Sequence, residues 1–158
     1  MTENRKLYFE YENGPRAIAT FHTDLAPKTC ETLWNALEKP VTMDAMHAMY
    51  AGPEVMVGLP EEAQTFDPES IPFENQQVIP GVGDVIWYYQ RPYQMGGLPF
   101  EWWEIGVCYD RGVRTLGPLG WTPVNIFATI TEGLAEFAQE SADIRVTGQK
   151  KLTIGRAE

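Results

Sequence analysis

Leu7, Phe9 and Tyr11 alternate with Lys6, Tyr8 and Glu10, the period of two that sets one face of a β-strand on a core. Asn13-Gly14 supplies residues that tolerate positive φ in a tight hairpin turn, and Ala17 to His22 returns as the partner strand. The period then changes. Cys30, Leu33, Trp34 and Leu37 fall at i, i+3, i+4 and i+7, the apolar stripe of a helix that must bury one face. Pro27 suits the first turn of that helix, Glu31 sits near its favourable N-terminal end, and Pro40 forbids continuation. Val41 to Tyr50 and Glu54 to Leu59 read as strands split by Ala51-Gly52-Pro53. Residues 59–83 are rich in Pro, Glu, Asp and Gln without periodicity and predict a long irregular excursion closed by a turn at Gly83-Asp84. Val85 to Gln90 is continuous in β-branched and aromatic residues, as in a strand buried on both faces. The 91–121 interval alternates loop signals with one strand near Trp103 to Tyr109. Val124 to Ile130 is a further strand. Thr131 is the expected N-cap of a short helix with Leu134, Phe137, Ala138 and Ser141 at helical spacing. Ile144 to Arg156 closes the chain as a bent strand or hairpin, with Gly148 at the bulge or turn. This order predicts a mainly β protein with two helices: a closed antiparallel barrel with a helix plugging each end.

The 158 residues, 44% of them apolar, suit a single domain, 1–158, with one core. No apolar leader precedes the first strand, and the longest apolar run, Val85 to Tyr89, falls far short of a membrane span. A cytoplasmic protein without membrane partners is expected. Cys30 and Cys108 lie in apolar surroundings with no C-x-x-C spacing and read as reduced core residues. The net charge of -10 repels polyphosphate and argues against a nucleic-acid partner.

Two stretches carry a family resemblance. Asp24-Leu25-Ala26-Pro27-Lys28-Thr29-Cys30-Glu31-Thr32-Leu33-Trp34-Asn35-Ala36-Leu37 resembles the D-x-x-P-K-T-x-x-N-F-x-x-L opening of the first cyclophilin helix. Asn125-Ile126-Phe127-Ala128-Thr129-Ile130-Thr131-Glu132-Gly133-Leu134 resembles the V-V-F-G-K-V-V-E-G-M strand-to-helix turn of the same family. The resemblance implies a cyclophilin-like barrel. Gly83-Asp84-Val85-Ile86-Trp87-Tyr88 is similar to a G-D-V-x-Y/W strand of small bacterial cyclophilin-like proteins of unknown function, the nearer group. The prolyl isomerase run F-H-R-V-I-P-x-F-M-x-Q-G-G has one counterpart, Met46 to Gly58. On that match the histidine stays as His47, the arginine becomes Ala48, the phenylalanine Pro53 and the glutamine Met56. The arginine donates hydrogen bonds to the twisted prolyl amide, so alanine removes the term that lowers a rotation barrier of about 18–20 kcal/mol. Neither the A-N-A-G-x-N-x-N-G-S-Q-F-F nor the W-L-x-G-x-H pattern is present, Trp121 standing two residues from the expected tryptophan.

The resemblance thus implies the fold without the isomerase chemistry. The expected function is binding of a small polar metabolite or a peptide in the equivalent groove, with His47, Tyr50, Glu54, Met56, Trp103 and Trp121 as candidate lining. One alternative is an enzyme acting on small amides, acids or cyclic imides with His47 and a carboxylate such as Glu54. Another is residual isomerase activity with Arg91, Arg111 or Arg114 swinging in. The bland reading of His47 is a satisfied, partly buried histidine, and that of the tryptophans is core closure. Glu101 and Glu104 bracket Trp102-Trp103 but face opposite sides of a strand, reading as one solvated and one hydrogen-bonded carboxylate. His22, His47 and one of Asp44 or Glu54 are too few and too scattered for a metal, and no glycine motif cradles a phosphate, so no cofactor is expected. The pattern leaves homo-oligomerisation open.

Overall fold

The computed structural model describes residues 4–12 and 14–158; Asn13, half of the expected turn, lies outside the described residues. The strands are β1 (Lys6–Tyr11), β2 (Arg16–Phe21), β3 (Val41–His47), β4 (Glu54–Gly58), β5 (Gln76–Gln77), β6 (Asp84–Gln90), β7 (Trp102–Cys108), β8 (Leu116–Gly117), β9 (Gly120–Trp121), β10 (Val124–Glu132) and β11 (Lys150–Ala157). The helices are α1 (Pro27–Ala36) and α2 (Leu134–Thr147). Hydrogen bonding runs β2-β1-β11-β3-β4-β7-β6-β10 and returns from β10 to β2, so eight antiparallel strands close a barrel and remove its free edges. The 59–83 excursion holds two single-turn 3-10 helices and β5, which pairs with the start of β10 at Val124 and Asn125.

Strand alternation decides what faces where. On β4, Val55 and Val57 enter the core and leave Glu54, Met56 and Gly58 outside. On β7, Trp103, Ile105 and Val107 point in, while Trp102, Glu104, Gly106 and Cys108 point out. On β6, Val85 and Trp87 point in, and Ile86 and Tyr88 out. One end of this outer face is roofed by the segment after β7, where Val113 packs on Ile86, Cys108, Val124 and Ile126.

The helices sit at opposite ends. Cys30 and Leu33 of α1 and Leu37 at its C-terminal cap are fully buried, and Trp34 meets Phe21 at the Lys6 end of the β1–β2 pair. At the other end, Phe137 of α2 stacks on Tyr11 at 4.9 Å, and Ser141 exchanges a 2.7 Å hydrogen bond with the Tyr11 hydroxyl. Burial pushes the Tyr11 phenol well above its ordinary range.

Four local expectations are corrected. β3 stops at His47, short of Tyr50, because the chain turns through Gly52 at φ 90° and Ala48 N–H closes on Glu54 O. Thr131 does not cap a helix: it stays in β10, its hydroxyl 2.9 Å from Thr20 Oγ1, and Gly133 at φ 76° makes the turn into α2. That helix runs on to Thr147 because Ile144 extends the buried Phe137, Ser141 stripe; Gly148, at φ 86°, is its C-terminal cap and not a strand bulge. Glu31 is not in the first turn of α1. Glu74, from the excursion, meets that helix end instead, accepting from Lys28 N at 3.1 Å, Thr29 N at 2.9 Å and Thr29 Oγ1 at 2.8 Å.

Candidate functional site

The outer face of β4, β7 and β6 carries two carboxylates in a setting that carboxylates rarely occupy. The β4–β7 register places Glu54 beside Cys108, Met56 beside Gly106 and Gly58 beside Glu104. Glycines make room for both acids. A Cβ on Gly106 would stand 3.0 Å from Glu54 Oε1, so the Glu54 side chain lies over bare backbone in the direction of Glu104. A Cβ on Gly58 would fall 2.6 Å from the Trp102 ring; the indole lies across that glycine and its Nε1 donates to Glu104 Oε1 at 3.1 Å. Glu54 is 2% exposed and Glu104 8%.

Among the described residues, no lysine, arginine or histidine forms an ion pair with either acid. Burial therefore penalises both anions without a compensating positive charge. It holds Glu54 well above the usual carboxylate range, the Glu104 charge adding to the effect. Burial also pushes Glu104 up to about 7, against the pull of the Trp102 N–H. Two such acids titrate as a unit, and burial moves their proton exchange to higher pH than that of ordinary carboxylates. The arrangement can act as general acid and general base.

Tyr88, opposite Glu104 across the β6–β7 pairing, opens onto a cleft of about 720 Å³. Pro72, Phe73, Gln94, Thr122, Pro123 and Asn125 form further walls. Gln94 Nε2 donates to the Tyr88 hydroxyl at 3.2 Å, and on the rim Arg91 pairs with Glu69 at 2.5 Å. Asn125 braces the opposite wall. Its Nδ2 donates to Pro72 O at 2.9 Å and to Thr29 Oγ1 at 3.1 Å, and its Oδ1 accepts from Gln76 Nε2 at 3.1 Å.

The residues expected to share one groove are divided. Glu54 and Met56 lie on the outer face, whereas His47 and Trp103 have the inward parity of their strands. Trp103 is core, packed edge-on against Phe66, Trp87 and Tyr89. Tyr50, on the β3–β4 connection, and Trp121, at the end of the short strand β9, are 58% and 55% exposed, and none of the six expected residues lines the cleft. His47 and Glu54 therefore do not assemble into an acid–base pair. His47 donates from Nδ1 to Ala48 O at 2.8 Å, leaving Nε2 to accept from the Tyr109 hydroxyl at 2.7 Å and from Arg145 Nε at 3.1 Å. Desolvation first and the Arg145 charge last lower its pKa, so it is a neutral tie between β3, the end of β7 and α2. Arg91 is engaged by Glu69, and Arg114 folds back on Gly112 O. Glu101, just before β7, is exposed and accepts from Tyr89, while Glu104 is buried and accepts from Trp102. The pattern missed the partnership of Glu54 with Glu104, along with the contributions of Gly58, Gly106, Trp102 and Tyr88.

Among the described residues no cluster of three or more His, Cys, Asp or Glu could hold a metal, and no helix is long and apolar enough to cross a membrane. The fold is similar to that of McbB, solved in complex with tryptophan, at TM-score 0.62 and 14% identity over 94% of this chain and 44% of that one. The crystal structure of the Mimivirus cyclophilin is similar at TM-score 0.59 and 14% identity, covering 98% of this chain and 88% of the other. The solution structure of the hypothetical protein AF2241 from Archaeoglobus fulgidus is similar at 0.56 and 15%, over 98% and 95%. At these identities the likeness is one of fold: a cyclophilin-like barrel. No curated protein matches the chain. The family described as "Protein of unknown function (DUF3830)" matches residues 11–155, and the chain belongs to that family.

Proposed function

We propose that this protein binds a small polar metabolite on the outer face of its barrel, between the Glu54–Glu104 pair and the adjoining cleft, and does not isomerise prolyl bonds. The observations carrying this reading are a cleft of metabolite size walled by Tyr88 and, across the β6–β7 pairing from Tyr88, a pair of nearly inaccessible carboxyls. Ala48 at the position matched to the isomerase arginine supplies no donor to the deconjugated prolyl amide, which supports the absence of isomerase chemistry. The cleft volume suits a ligand of metabolite size. McbB, 44% of whose chain this fold matches, was solved in complex with tryptophan, a small polar metabolite.

The test is a thermal-shift screen of amino acids, amines, amides and short peptides, paired with a proline-peptide isomerisation assay. Stabilisation by a small molecule and an isomerisation rate at background are expected. If nothing stabilises the protein, or if it accelerates isomerisation, the reading falls. A second reading, a small-molecule enzyme with the pair as acid and base, is favoured by the position of the Glu104 pKa at the operating range of proton-transfer catalysis. It requires that Glu54→Gln and Glu104→Gln abolish any turnover the screen uncovers while His47→Ala leaves it unchanged; any other pattern removes the assignment.

A further inference from the structure

We propose that the cleft beside β6 receives a quaternary ammonium group, with the carboxylate of Glu69 as its counter-charge and Arg91 as the internal cation it displaces. The proposal rests on the small-ligand reading above and narrows its chemistry. Phe73, Tyr88 and Tyr89 line the cleft together with Pro68, Pro72 and Pro123. Phe73 is 89% exposed, so its ring is free to take a partner, and the face of an aromatic ring attracts a cation. The polar groups of the same wall are largely engaged with one another. Asn125 Oδ1 accepts from Gln76, Pro72 O accepts from Asn125, and Gln94 Oε1 accepts from Arg91 N. A primary ammonium would bring three N–H donors to a lining this poor in open acceptors. A quaternary ammonium brings none and takes its stabilisation from ring faces and a nearby anion.

Charge selects the same class. Of the described residues lining the cleft, Glu69 is the one carboxylate and Arg91 the one cation, and they pair at 2.5 Å. Their side chains are 52% and 69% exposed, and an ion pair this open is weakly held and readily exchanged. The fold thus already seats an organic cation, the Arg91 guanidinium, on the carboxylate at the mouth of the cleft. Further carboxylates surround that position. Tyr89 O–H donates to Glu101 at 2.5 Å, and the charges of Glu69 and Asp67 reach the same hydroxyl. With a net charge of -10, the molecule as a whole draws cations and repels the anions that would compete for Arg91.

Calorimetric titration of the full chain with choline, its uncharged isostere 3,3-dimethyl-1-butanol and ethanolamine tests this. Choline is expected to bind at least about ten-fold more tightly than either of the others. Glu69→Gln should reduce choline to the affinity of the isostere and leave the isostere unchanged. Arg91→Gln should tighten choline binding by about two- to five-fold, because the internal competitor is gone. Lys151→Gln removes the same charge from an exposed pair with Asp44, outside the cleft, and should leave choline binding as it was. All three substituted side chains are half exposed or more, so the variants are expected to fold. Equal affinities for choline and the isostere overturn the cation proposal and leave the small-ligand reading standing. Ethanolamine binding as tightly as choline overturns the assignment to a quaternary group. Equal effects of Arg91→Gln and Lys151→Gln overturn the displacement of Arg91. Binding of none of the three probes overturns the proposal, while the broader screen still decides the parent reading.

Discussion

Glu104→Gln removes an ionisable group and keeps its shape, since the Trp102 N–H retains an oxygen to which it can donate. A carboxyl whose pKa rises from 4.5 to about 7 on folding stays protonated in the native state over a range where the unfolded chain has released its proton. The native state then holds more protons than the unfolded one, and stability falls as pH rises. The contribution is fully present below pH 4.5 and lost above about 7. At 1.36 kcal/mol per pH unit, the loss across that window is on the order of 3 kcal/mol for a group this buried. His47 acts in the opposite sense: its lowered pKa costs stability as pH falls below the ordinary imidazole value. Both proteins carry it, so it cancels in their difference. Urea denaturation at pH 5, 6, 7 and 8 reads the effect directly. Relative to wild type, the variant should gain on the order of 3 kcal/mol between pH 5 and pH 8, equivalent to about 6–12 °C in Tm for a chain of this size. Profiles that stay parallel within about 0.5 kcal/mol would refute the uncompensated burial of the pair.

Gly106→Ala places a Cβ 3.0 Å from both Glu54 Oε1 and Ile86 Cγ1, and is expected to cost about 1–3 kcal/mol by urea denaturation; a neutral result would mean the acid is not held over that glycine. Glu74→Ala frees the Lys28 and Thr29 amides, with an expected loss of about 1–2 kcal/mol and faster hydrogen exchange confined to the first turn of α1. Exchange unchanged there would remove the clamp. Gly133→Ala combines φ 76° with a Cβ 2.3 Å from Arg16 O, and should lower stability by more than about 3 kcal/mol in thermal unfolding.

Period and punctuation made most of the barrel readable. Leu7, Phe9 and Tyr11 announced their strand, and Cys30, Leu33 and Leu37 announced the buried side of α1, because both patterns are local and repeat at the period of their element. The end of α2 was hidden by Gly148, which reads equally as a strand bulge or a helix terminator until the Ile144 contact is known. The site failed for a different reason. Val55 and Val57 imply that Glu54 faces outward, and Ile105 and Val107 imply the same of Glu104, but nothing in the chain says that β4 and β7 are neighbours. Glu104 was weighed against Glu101, three residues away, while its true partner was fifty residues upstream. His47 drew notice as a chemically versatile residue; its actual work, holding Ala48, Tyr109 and Arg145 together, required three segments to be placed in space.

The brace formed by Glu74, Asn125 and Thr29 makes the cleft wall and the barrel stopper one mechanical unit. Pushing Pro72 outward strains the same hydrogen bonds that seat α1. That helix carries Trp34, with the Arg156 guanidinium over its ring at 4.3 Å and Phe21 packed edge-on against it. Occupation of the cleft therefore has a built-in optical readout at the far side of the helix. A phenylalanine at every other tryptophan would leave a protein whose emission shifts when the wall moves, and stays constant if wall and stopper are independent.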